Sequence, residues 1–167
     1  MRRLAAALSL CVLALGACER REAKAPVADS APPAAVAFSH RLSEDISGEY
    51  RSAPDAEGGT TSLFIGQTTA FASWEAGDRT APPLLLTLTG PGGEARITPE
   101  AYVVTDDSVQ MRGATPDGGV VQFQARLDQG ALATARRNLG DHTPVLTGTV
   151  TVDGRRTAVI LSRWGGD

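Results

Sequence analysis

Cysteine is all but missing from this 167-residue chain: it has two, Cys11 and Cys18, and none in the 149 residues that follow. Beyond residue 18 there is therefore no pair for a disulfide, no thiolate set for a zinc cluster and no thiol nucleophile. A domain of this length buries roughly two thirds of its unfolded surface, enough to fold without staples. Histidine is equally scarce, with only His40 and His142, and the two lack the helical spacing of a metal-binding pair. No Gly-x-Ser-x-Gly elbow is present. The pairs Gly58-Gly59, Gly92-Gly93 and Gly118-Gly119 are separated breaks between strands, not a phosphate cradle. The formal net charge is −3, which excludes the basic stripe a nucleic acid requires and supplies no polybasic patch for anionic lipid.

What is present begins at the N-terminus. Met1-Arg2-Arg3, an apolar run from Leu4 to Leu15 and then small residues make a secretory signal peptide, too short to span a bilayer as a mature helix. The tetrad Leu15-Gly16-Ala17-Cys18 resembles the lipobox of bacterial lipoproteins. The resemblance implies that residues 1–17 are removed and that Cys18 is diacylated and becomes the new N-terminus. The alternative is an ordinary secretory signal cleaved nearby. Cleavage before Cys18 leaves 150 residues with 14 basic and 19 acidic side chains, a net charge of −5. Glu19 follows the cysteine where Asp would mark inner-membrane retention in enterobacteria. By that rule the protein is anchored in the outer membrane, facing the periplasm.

From Glu19 to Arg41 the chain is rich in Ala and Pro, including Pro32-Pro33, and shows no apolar periodicity. Residues 18–41 thus read as the lipidated cysteine and a disordered tether. As a flexible coil this tether averages roughly 26 Å end to end, and as polyproline II it reaches up to roughly 70 Å.

Residues 42–167 read as one all-β domain. Val121, Phe123, Ala125 and Leu127 alternate with Gln122, Gln124 and Arg126, one face apolar and one wet. Leu84, Leu86 and Leu88 repeat the pattern, as do Val109 with Met111 and Leu146 with Val150 and Val152. Asp153-Gly154, between two such runs, predicts a type I′ hairpin turn. Further strands are expected at Ile46–Ser52, Thr60–Gln67, Thr69–Glu75, Tyr102–Thr105 and Arg155–Trp164, giving nine to eleven in all. Over 131–139, Leu132, Ala135, Arg136 and Leu139 would share a helix face ended by Gly140; the reading taken is a strand over Ala131–Arg136. Consecutive strands and tight turns predict an antiparallel meander closed as a small up-and-down β-barrel, with a β-sandwich as the alternative.

Ile46-Ser47-Gly48-Glu49-Tyr50 on the first strand and Leu161-Ser162-Arg163-Trp164 on the last are similar in placement to the lipocalin-like (calycin) arrangement. In those barrels an aromatic after a Gly-x pair packs against a late basic residue. Here Tyr50 stands where that family has tryptophan.

Chemistry-bearing constellations are few. Asp141-His142 would suit a general base with an orienting carboxylate, but neighbours in sequence rarely point at one another, and the segment reads as a loop. His40 is expected to be solvated at the end of the tether. Asp106-Asp107 offers oxygens to a cation without the spaced series that calcium requires, and reads as a tight turn. Arg136-Arg137 and Arg155-Arg156 are basic pairs that read as a solvated strand face and turn, with an anionic partner or lipid head group as the alternative. Most of the eight aromatics should be core, with Trp74 and Trp164 the candidates for lining a ligand cavity. The expectation is a monomeric, non-enzymatic binding or protein-interaction module without cofactor or metal, tethered in the envelope. The alternatives are a carrier of a small apolar ligand and a hydrolase with an unrecognised acid/base pair.

Overall fold

The computed structural model describes residues 37–54, 56, 60–90 and 92–166. The expected signal peptide, the expected lipidation site Cys18 and most of the expected tether lie outside the described residues. Ten strands form one sheet: β1 (Phe38–Arg41), β2 (Gly48–Arg51), β3 (Thr60–Ile65), β4 (Leu84–Gly90), β5 (Gly93–Ile97), β6 (Ala101–Thr105), β7 (Ser108–Ala114), β8 (Val120–Leu127), β9 (Pro144–Val152) and β10 (Arg155–Arg163). Helix α1 (Thr68–Glu75) joins β3 to β4, and α2 (Gln129–Arg137) joins β8 to β9. The strand order is β1-β6-β7-β8-β9-β10-β2-β3-β4-β5.

That order is an up-and-down meander that curls into a half-barrel. Strands β6 to β10 pair consecutively, β10 then pairs with β2, and β2 to β5 pair consecutively, all antiparallel. Eight antiparallel steps separate β5 from β6, so the two run in the same direction. Only residues 98–100 lie between them, which holds Ile97 and Ala101 within about 14 Å of each other. The sheet therefore curls so that β5 and β6 act as one bent run, pairing first with β4 and then with β7. Gly113 on β7 marks the corner: a Cβ there would stand 2.5 Å from Ile97 Cγ2 and from the Thr98 carbonyl oxygen. The fold is all-β and barrel-like, as the alternation predicts.

The inward faces interdigitate in register. Tyr50, Leu63, Leu86 and Ile97 are directly opposed across β2 to β5. Val104, Val109, Ala125, Gly148 and Val159 form a second row across β6 to β10. Apart from the small Gly148, which is partly buried, all these side chains are buried. At the β9–β10 hairpin Asp153 and Gly154 both have positive φ, 49° and 81°, the geometry an Asp-Gly I′ turn requires.

Three segments differ from the sequence expectation. Thr69–Glu75, expected as a strand, is helix α1. Its apolar anchors Phe71 and Trp74 are three residues apart, which suits one helix face, and their burial sustains a helix too short to stand alone. Ala131–Arg136, also expected as a strand, lies in α2. Asp128 caps it by accepting the Ala131 N–H at 2.9 Å, Leu132 and Ala135 are buried, and Arg136 and Arg137 complement the dipole in the last turn. This helix stops at Arg137, before Gly140, and Leu139 is exposed. Phe38–Arg41, read as the end of the tether, is strand β1, paired parallel with β6. Phe38 explains it: its ring packs 5.2 Å from Tyr102 and 6.2 Å from Trp74, between centroids.

Candidate binding cleft

Both helices sit at the end of the barrel where β3 and β8 finish and β4 and β9 begin. There the interior is filled by Ile65, Phe71, Leu84, Leu132 and Leu146, each less than 2 % exposed. At the hairpin end no helix among the described residues covers the interior. Leu88, Ala95 and Val152 still point inward but are only partly buried. They open onto a cleft of about 790 Å³, whose inner wall also includes Thr61, Val150, Thr157 and Val159.

The early end of β2 extends the cleft sideways. β2 stops at Arg51, and β10 pairs with it only at Ser162 and Arg163. Among the described residues, the stretch of β10 from Arg155 to Leu161 has no partner on that side. Outward-facing Ala158 and Ile160 line the same cleft as inward Thr157 and Val159, so the opening passes along the free edge of β10. Arg155, Glu94 and His142 stand at its rim, with Glu94 held by Arg96 at 2.7 Å.

The structure does not bring Asp141 and His142 together. Asp141 accepts the Thr143 N–H at 2.7 Å, and hydrogen bonding from Thr143 holds its carboxyl below the usual range. His142 is exposed, and its carbonyl accepts from Ser162 Oγ at 2.6 Å. The acid–histidine pair of this domain lies elsewhere. His40 Nδ1 is 2.9 Å from Glu75 Oε1, which also accepts from the Tyr102 hydroxyl at 3.1 Å. The His40 ring stacks on Phe71 with centroids 5.4 Å apart. His40, expected to be solvated, is thus partly buried and fastens β1 to α1; neither it nor Glu75 lines the cleft. Burial, and then the Glu75 charge and hydrogen bond, push the Tyr102 phenol up.

Neither candidate tryptophan lines the cleft. Trp74 is buried on α1, a helix rather than the expected strand, with the Arg79 guanidinium 4.6 Å from its ring centroid. Trp164 follows β10 and carries Arg51 stacked at 3.7 Å. Asp106-Asp107 is the expected turn, between β6 and β7. The Asp106 carboxylate accepts from Ser43 Oγ at 2.6 Å and from the backbone N–H groups of Ser43 and Glu44, each at 3.0 Å. The basic pairs are split: Arg136 lies 3.3 Å from Asp45, and Arg155 reaches the cleft while Arg156 faces outward. Among the described residues no three His, Cys, Asp or Glu side chains gather to hold a metal ion, and no helix is long and apolar enough to cross a membrane.

Across the β2–β10 seam, Tyr50 is directly opposed to Arg163. The Tyr50 hydroxyl donates to the Ile46 carbonyl at 2.6 Å, and burial pushes its phenol up to about 12. Gly48 leaves room for the Arg163 guanidinium, whose Nε would lie 3.4 Å from a Cβ there. The chain matches no protein-family model, and comparison with curated proteins and with solved structures returned no match.

Proposed function

We propose that this protein is a non-enzymatic binding module of a bacterial envelope, anchored through Cys18, whose barrel holds a small apolar ligand in the cleft at its hairpin end. The observation that carries this reading is the cleft itself. Inward apolar side chains remain partly exposed around a space of about 790 Å³, a volume typical of small-molecule sites. The opposition of Tyr50 and Arg163 supports reading the domain as a lipocalin-like barrel. The lipobox tetrad supports a lipid anchor, an outer-membrane address and a periplasmic site of action.

The neutral fluorescent probe N-phenyl-1-naphthylamine tests the cleft. The wild type should bind it, and Ala95→Phe, which fills the cleft from β5, should weaken binding by about tenfold or more without lowering the melting temperature. A folded Ala95→Phe protein that binds the probe as well as wild type does would sink the ligand reading. Mass spectrometry of membrane fractions tests the anchor: Cys18 should carry acyl chains, and Cys18→Ala should appear in the soluble fraction.

A second reading rests on the free edge of β10. In an antiparallel strand every other residue turns its backbone groups to the far side, so Arg156, Ala158 and Ile160 offer theirs to an added strand. An extended segment of an envelope protein would pair there. Co-purified partners lost in Ala158→Pro but retained in Ala95→Phe would favour this reading over the carrier.

A further inference from the structure

We propose that the outer face of β7 to β10 is a second binding surface, one that takes a carboxylated polysaccharide. Cross-strand register places Arg112, Gln122, Thr151 and Arg156 in a single row over four strands. Beside it, Gln124 and Thr149 are paired in the next row. The row ends in two arginines three strand spacings apart, about 14 Å. Gln122, Gln124, Thr149, Thr151 and Arg156 line a shallow depression of about 160 Å³. A larger one of about 440 Å³ shares Gln122 and Gln124 and contains Arg112. The two depressions meet across these glutamines; the smaller is polar, and the larger also exposes Ala101 and Val103 beside Arg112.

Charge is segregated on this domain. Residues 37–167 contain 11 arginines and 16 carboxylates, yet neither row contains a carboxylate. Glu100 borders the larger depression, and among the described residues no ion pair engages Arg112 or Arg156. Two unpaired guanidiniums, each able to grip a carboxylate bidentately, complement an acidic partner. The groups between them select its kind. Gln and Thr side chains both donate and accept, which matches hydroxyls that do the same. Over β7 to β10 the rows offer no aromatic anchor for a protein hot spot, and their one apolar side chain is the small Ala158, too little to enter a lipid interface.

The test is binding of the full chain in detergent to polygalacturonate, with neutral dextran, polyphosphate and phosphatidylglycerol vesicles as comparisons. Polygalacturonate should bind best, and binding should weaken with salt. The double variant R112Q/R156Q, whose sites are exposed, should lose about tenfold or more in affinity with an unchanged circular dichroism spectrum. Arg96→Gln, on β5 and paired with Glu94, should change affinity less than about twofold. The proposal is overturned if the double variant binds like wild type, if Arg96→Gln costs as much, if dextran, polyphosphate or vesicles bind as tightly, or if polygalacturonate does not bind. Probe binding in the cleft is a separate measurement, so either site can fail alone.

Discussion

His40 Nδ1 and Glu75 Oε1 lie 2.9 Å apart, joining the first strand of the barrel to the helix that follows β3. The same carboxylate oxygen takes the Tyr102 hydroxyl, so one acidic side chain organises an imidazole and a phenol. The consequence is readable by ultraviolet titration, because the chain has only two tyrosines. Both phenols are raised, Tyr50 to about 12 by burial and Tyr102 by burial and then by the charge of Glu75. A raised phenol favours its neutral form in the fold. The stability it adds is complete below the ordinary tyrosine value of about 10 and is lost as pH climbs through the folded value. Absorbance at 295 nm should stay flat through about pH 10.5 and rise only with ionisation or unfolding above it. Glu75→Gln should bring the Tyr102 ionisation down and leave that of Tyr50 in place. Ionisation of both tyrosines near pH 10 in the folded protein would contradict this geometry.

Asp106 gives the opposite sign. Hydrogen bonds from Ser43 and Glu44 hold its carboxyl below the usual aspartate value. Its contribution is therefore present above about pH 4 and fades as pH falls through the lowered folded value. Thermal melts of wild type and Asp106→Asn should differ at pH 7 and converge as the acid limit is approached. A difference that is constant from neutral to strongly acidic pH would show that the charge plays no part.

Phe71 is the deepest anchor of α1, fully buried between His40 and Tyr102. Phe71→Ala should cost about 3–5 kcal/mol in urea unfolding, the range for deleting a buried aromatic. A loss below about 1 kcal/mol would mean that α1 is not part of the core.

Gly113 tests the corner between β5 and β6. With a Cβ 2.5 Å from Ile97 Cγ2 and from the Thr98 backbone, Gly113→Ala should destabilise by about 1–3 kcal/mol. Gly154→Ala, whose added Cβ meets nothing within 4 Å, isolates the separate effect of a positive φ. If Gly113→Ala proved neutral, the end of β5 would not pack against β7 there.

The strands were legible where one face is wet and the other dry. β8 shows strict alternation of buried and exposed positions along all eight residues, as its Val-Gln-Phe-Gln pattern announces. The Asp153-Gly154 turn was legible for the same local reason. Helix α1 was hidden because two anchors three residues apart, Phe71 and Trp74, are too few to establish a period. β1 was hidden because it is four residues long and its partner β6 lies some sixty residues later. The His40–Glu75 pair spans 35 residues and involves the histidine that looked least promising. The cleft depends on where β2 stops, and no residue type at Ser52 states that the partner strand continues without it. Leu88, Ala95 and Val152 carried the one available hint, inward alternation that runs on past the covered core.

The β2–β10 seam has a consequence for how this barrel breathes. Two cross-strand pairs, Arg51 with Ser162 and Tyr50 with Arg163, close a loop of more than a hundred residues. Closing so long a loop carries a large entropic cost, against which two pairs and the buried Tyr50 give little return until the rest of the sheet is in place. The seam should form late in folding and, in the folded protein, open more readily than the longer ladders. Amide exchange at Arg51 and Trp164, whose N–H groups cross the seam, should therefore outpace that of the long β7–β8 and β8–β9 ladders. The same seam borders a cleft that is already open at the hairpin end, so its opening widens the way in and out rather than unlocking it.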